Sequence, residues 1–115
     1  MTVLHDLIAS FAAIGAIDDG GVCRLAATAL DKQARDLFLR EIGSRGLVPR
    51  IDAIGNIFGV AILDPAFDDF VITGSHLDSQ PTGGRYDGTY GVLAGLGASR
   101  TRRRTTQPGR RELDQ

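Results

Sequence analysis

One histidine and two aspartates, His76, Asp78 and Asp87, fall within a single stretch of glycine and polar residues. Imidazole nitrogens and carboxylate oxygens are the donors that divalent transition metals take from proteins. His76 and Asp78 are two positions apart, so an extended backbone sets both side chains on one side. A metal-bound imidazole gives its second ring N–H to a carboxylate or carbonyl, which fixes the ring. Asp78 is placed to be that orienting group or its neighbour in the site. Asp87 follows Gly83 and Gly84 and precedes Gly88, residue types that let a backbone turn sharply and approach a site closely. Such a loop would return Asp87 to face His76. A carboxylate has two oxygens and can bridge two cations ~3.5–4 Å apart. Zinc, manganese and cobalt all suit this donor set. Spacing alone leaves other readings open. A His-x-Asp pair also marks ordinary polar loops, and Gly83-Gly84-Arg85 could be a structural turn or an anion-binding nest.

The elements that must position this stretch can be read from hydrophobic periodicity. Val3, Leu4, Leu7, Ile8, Phe11 and Ala12 recur at helical spacing, predicting an amphipathic helix over 2–14 with Gly15 as its stop. His5 lies on its polar side and reads as a solvated histidine. Asp18-Asp19-Gly20-Gly21 is a turn. A second helix is predicted over 31–42, with Ala34, Leu37, Phe38 and Ile42 as its buried stripe and Thr28 or Asp31 as its cap. Gly43 and Gly46 would end it. Two extended runs follow, 47–52 and 56–63, turning at Gly55. Phe70-Val71-Ile72-Thr73-Gly74 is an apolar run that predicts a strand buried on both faces. The loop 75–88 then starts where that strand ends, the place where open α/β sheets bind their ligands. Thr89 opens another helix. The order helix, helix, three strands, loop, helix predicts an α/β layered domain.

The run Thr73-Gly74-Ser75-His76-Leu77-Asp78-Ser79-Gln80-Pro81-Thr82-Gly83-Gly84-Arg85-Tyr86-Asp87-Gly88, continued by Tyr90-Gly91-Val92-Leu93-Ala94-Gly95-Leu96, closely resembles the metal-binding segment of the zinc-dependent amidohydrolases. These include N-carbamoyl-L-amino-acid hydrolases, β-ureidopropionases and allantoate amidohydrolases, relatives of the two-metal carboxypeptidases and dipeptidases. Gly20-Gly21-Val22, Arg24-Leu25-Ala26 and Asp52-Ala53-Ile54-Gly55-Asn56-Ile57-Phe58-Gly59 are similar as well. The resemblance implies part of a three-layer catalytic domain of a two-metal aminopeptidase-like hydrolase. It implies that His76 ligates one of two divalent ions, that Asp87 bridges both, and that Asp78 is the catalytic residue orienting the His76 side. It implies a cis bond at Asp87-Gly88. The substrates it implies are small N-carbamoyl or ureido molecules, hydrolysed at a C–N bond by metal-activated water with a glutamate as general base.

The resemblance covers residues 5–96. The Glu-Glu pair expected to supply the base has no counterpart in this sequence, and the later histidine ligands and the inserted dimerisation domain are not found either. Charge changes at the same place: residues 1–96 carry 7 basic and 12 acidic side chains, residues 97–115 carry 6 arginines and 2 acidic side chains. The expectation is therefore a catalytic-domain segment over 1–96, inactive alone, followed by an Arg-rich tail over 97–115. That tail reads as solvated chain or as the product of a frameshift, since CGN arginine codons shifted by one base yield GAC, an aspartate codon. Sequencing the gene tests the frameshift, and the absence of a continuing frame in any register would exclude it. The alternative function is a small binding protein whose arginines grip a polyanion, but the tail has no aromatic residue on which bases could stack. No apolar run approaches the ~20 residues that cross a bilayer. With no signal-peptide pattern at Met1 and a single cysteine, Cys23, read as a packed or half-exposed hydrophobe, a cytoplasmic location is expected.

Overall fold

The computed structural model describes residues 3–66 and 68–99. Helix α1, Val3–Ala12, buries Leu7, Ile8, Phe11 and Ala12, the i, i+3, i+4 stripe of an amphipathic helix. Gly15, at φ +83°, turns the chain after it. Helix α2, Ala29–Ser44, starts at Thr28, whose hydroxyl accepts from the Asp31 amide. Asp31 in turn accepts from the Ala27 amide at 3.0 Å, so two otherwise orphaned donors are satisfied reciprocally. The helix runs through Gly43, and Gly46 at φ +70° ends it. Of the predicted stripe, Ala34, Phe38 and Ile42 are buried and Leu37 is partly so.

Strands β1, Val48–Ile51, and β2, Ile57–Val60, form an antiparallel hairpin with Val48 opposite Val60 and Ile51 opposite Ile57. Asp52 makes its turn. Its carboxylate accepts from the Ile54 and Asn56 amides and from the Asn56 side chain, and these hydrogen bonds, the Asn56 side chain foremost, hold its pKa below the ordinary carboxylate value. The hairpin lies on α2 at Gly59, where a β-carbon would stand 2.9 Å from Ile42. Helix α3, Thr89–Ala98, packs on α1. Its Val92, Leu93 and Leu96 complete one core with Leu7, Ile8, Phe11, Phe38 and Ile42. Among the described residues no helix is long and apolar enough to cross a membrane.

One expectation is corrected. Residues 70–74 belong to no strand: the described residues form one sheet, the β1–β2 hairpin, and Phe70, Val71 and Ile72 are exposed. Burial on both faces requires a layer on each side, and among the described residues Phe70, Val71 and Ile72 have neither; helix α3 meets the run at its end, at Thr73. The described residues form a small α/β fragment, with one hairpin and three helices. Helix α3 continues past Leu96 to Ala98. The arginines from Arg100 onward lie outside the described residues, and with them the frameshift and polyanion readings.

Candidate functional site

Segment 75–88 has no regular secondary structure, so neighbouring elements must hold it in shape. One brace is the chain at residues 22–24. Val22 and Gly83 exchange both backbone hydrogen bonds, at 2.8 and 2.9 Å. The Arg24 amide donates to the Ser79 hydroxyl at 2.7 Å, and the Ser79 amide donates to the Arg24 carbonyl at 2.7 Å. Arg85 donates from Nε to the Gly20 carbonyl at 3.3 Å. These contacts give Gly83-Gly84-Arg85 the structural-turn role that the sequence left open. A second brace is α3. A β-carbon added at Gly91 or Gly95 would stand 2.9 Å from Ser75 or Thr73 respectively, so residues 73–75 lie directly on its glycine face.

Held this way, the three predicted residues meet. His76 Nδ1–H donates to the Asp78 carbonyl oxygen at 3.0 Å, with Asp78 Oδ1 at 3.2 Å. A carbonyl can only accept, so the proton of the neutral ring sits on Nδ1. Nε2 lies 3.5 Å from Asp87 Oδ2: the neutral ring presents its lone pair there, the imidazolium an N–H. Two electron-pair donors facing each other at this distance suit a cation between them. On a tetrahedral ion with bonds near 2.0–2.2 Å, adjacent ligand atoms lie ~3.4 Å apart. The pair is open on its outer side, with the Asp87 side chain 73% exposed, so other donors have room to approach. Among the described residues no three His, Cys, Asp or Glu side chains are grouped to hold an ion by themselves.

The resemblance implied a cis bond after Asp87. The bond is trans, as are all peptide bonds among the described residues. A cis non-proline bond costs ~2.5–4 kcal/mol. Here Gly88, at φ +67°, makes the turn in the left-handed region open to glycine. A β-carbon on Gly88 would stand 2.5 Å from His76 Nδ1 and from the His76 carbonyl oxygen, so the absent side chain is what lets the imidazole lie against the backbone.

Sequence reasoning missed the group beneath the site. Arg24 is 2% exposed. Its guanidinium donates to the carbonyls of Phe11 at 2.8 Å, Ile14 at 2.7 Å and Leu77 at 2.8 Å, and to Thr89 Oγ1 at 3.2 Å. Burial lowers its pKa, and the charges of Asp31 and Asp78 oppose that shift. The carbonyls of Phe11 and Ile14 lie at the C-terminal end of α1, the end that attracts a cation. No local pattern marks such a residue, because an arginine is ordinarily solvent-exposed. His5 is exposed and Cys23 half-buried, as expected.

No protein-family model matches the chain. Single relatives do. It is 42% identical to an allantoate amidohydrolase of Bacillus subtilis, over 81% of this chain and 23% of that protein. It is 40% identical to an N-carbamoyl-L-amino-acid amidohydrolase of Rhizobium meliloti, over 85% of this chain and 24% of that protein. The crystal structure of an amidase of the hydantoinase/carbamoylase family from Burkholderia vietnamiensis superposes with a TM-score of 0.82 at 50% identity, covering 85% of this chain and 24% of that one. The chain is homologous to a segment of the hydantoinase/carbamoylase amidases, C–N hydrolases that include allantoate and N-carbamoyl-L-amino-acid amidohydrolases. It spans about a quarter of the length of the relatives it matches.

Proposed function

We propose that this chain carries the His–Asp part of a two-metal site that hydrolyses the C–N bond of small N-carbamoyl or ureido substrates. One observation carries the reading: His76 Nε2 stands 3.5 Å from Asp87 Oδ2, an imidazole nitrogen and a carboxylate oxygen near enough to share one ion. In this reading His76 would ligate one divalent ion, zinc, manganese or cobalt, and Asp87 would be shared between it and a second. Asp78 keeps the His76 proton on Nδ1 and the ring in place. The chemistry such ions supply is polarisation of the scissile carbonyl and activation of water. The names of the relatives supply the substrate class. The glutamate base and remaining ligands would come from residues outside this chain, so the chain alone binds metal weakly and does not turn over. A cytoplasmic location is part of the same proposal.

Zinc titration of the chain followed by calorimetry tests this reading. Binding is expected in the parent chain and lost in His76→Ala and Asp87→Ala. Asp78→Ala removes the carboxylate 3.2 Å from Nδ1 but keeps the orienting carbonyl, so it is expected to weaken binding by less than the ~10–100-fold typical of losing a ligand's orienting group. Equal affinity in all four proteins would sink the metal reading. A parallel assay with N-carbamoyl amino acids and added zinc, manganese or cobalt is expected to show no turnover. Metal-dependent turnover abolished by Asp87→Ala would show that the chain completes a working site.

A further inference from the structure

We propose that Arg24 is a positioning residue for His76. The inference rests on His76, Asp78 and Asp87 being one constellation, but it does not require that the constellation bind metal.

The argument starts from what Arg24 holds. Its Nε donates to the carbonyl of Leu77, and its backbone exchanges hydrogen bonds with Ser79 through the hydroxyl and the amide. Leu77 and Ser79 are the two neighbours of Asp78. The carbonyl of Asp78 holds the proton on His76 Nδ1. Arg24 therefore fixes the backbone on both sides of the group that orients the imidazole. The same guanidinium reaches Thr89 Oγ1, two residues beyond Asp87. One rigid plane thus ties the His76 side of the site to the Asp87 side, and anchors both to the end of α1. A guanidinium is planar with five fixed donors, whereas a lysine ammonium is a single point on a flexible stem and cannot reproduce that geometry. Space filling does not explain the residue. Well-packed apolar groups commonly replace buried charges without loss of stability, yet they cannot join three separate segments.

The test is the nitrogen NMR spectrum of the His76 imidazole in the full chain, with chelator present and at about pH 9, where imidazole is neutral. The parent chain is expected to show a single tautomer, protonated on Nδ1. Arg24→Lys and Ser79→Ala are each expected to give a tautomer mixture while helical circular dichroism is retained. Thr28→Ala is the control, since it removes the cap of α2 and lowers stability without touching the brace. The proposal is overturned if His76 keeps the parent spectrum in Ser79→Ala and in a folded Arg24→Lys, or if Thr28→Ala changes that spectrum as much. If Arg24→Lys does not fold, Thr89→Val decides, since it removes an acceptor of the guanidinium and leaves the Arg24 backbone contacts in place: a tautomer mixture supports the proposal and the parent spectrum overturns it. Zinc binding is measured separately: a parent chain that binds no zinc refutes the metal reading while the tautomer result still stands or falls by itself.

Discussion

At the residue scale the most constrained position beside the imidazole is Gly88. Its φ of +67° costs an L-residue roughly 1–2 kcal/mol, and a methyl there would overlap the His76 ring and carbonyl. The ring is half exposed, so it can swing outward, away from Asp78 and Asp87. The His76 carbonyl, 2.5 Å from the new methyl, is backbone and cannot swing away. Gly88→Ala is therefore expected to lower stability in urea unfolding by more than the roughly 1–2 kcal/mol of a left-handed φ alone, and also to abolish zinc binding. Loss of stability with zinc affinity intact would show that the imidazole has another way to meet Asp87. Gly88 shows how much of the site the sequence discloses. His76, Asp78 and Asp87 are legible because their types are chemically distinctive and they lie close along the chain. The turn that brings Asp87 back is legible from its glycines. Arg24 is not, because its side-chain partners are 10 to 65 positions away and nothing local foretells which carbonyls a buried guanidinium will meet.

At the element scale α3 is the platform on which residues 73–75 lie, and its glycines have different duties. Gly95 faces Thr73, with a prospective β-carbon 2.9 Å from Thr73 Cγ2, and Gly91 faces Ser75. Gly97 has nothing within 4 Å of such an atom. Alanine is favoured over glycine inside a helix by roughly 0.5–1 kcal/mol. Gly97→Ala should gain part of that, less than the full value because it sits in the last turn. Gly95→Ala should lose more than it gains, because it must push residues 73–75 off the helix. Opposite signs in thermal unfolding are the expected outcome, and a stabilising Gly95→Ala would mean that segment 73–75 does not lie on α3 in solution. The helices and the hairpin are legible from apolar spacing and from Thr28, Gly15 and Gly55. Helix ends are less so: Gly43, expected as a stop, is inside α2, since glycine without a left-handed φ does not terminate a helix.

At the scale of the whole molecule one demand goes unmet, that of Phe70-Val71-Ile72. The run has the composition of an inner strand, and its side chains are 66%, 102% and 77% exposed. Sequence misleads about its pairing and its burial, because an apolar run encodes a need for neighbours and says nothing of where they come from. Relatives four times as long have chain to spare for that purpose, and here the described residues do not supply it. An exposed, unpaired, β-prone segment is a template for pairing with another copy. The chain is therefore expected to self-associate with rising concentration, as measured by sedimentation velocity. Val71→Lys places a charge on the most exposed of the three residues, where a substitution that touches nothing changes stability by no more than ~0.5 kcal/mol. It should shift the distribution toward monomer while leaving the unfolding midpoint unchanged. Association undiminished in Val71→Lys would place the sticky surface elsewhere, and the exposed Ile62 and Leu63 beyond the hairpin would be the next residues to change.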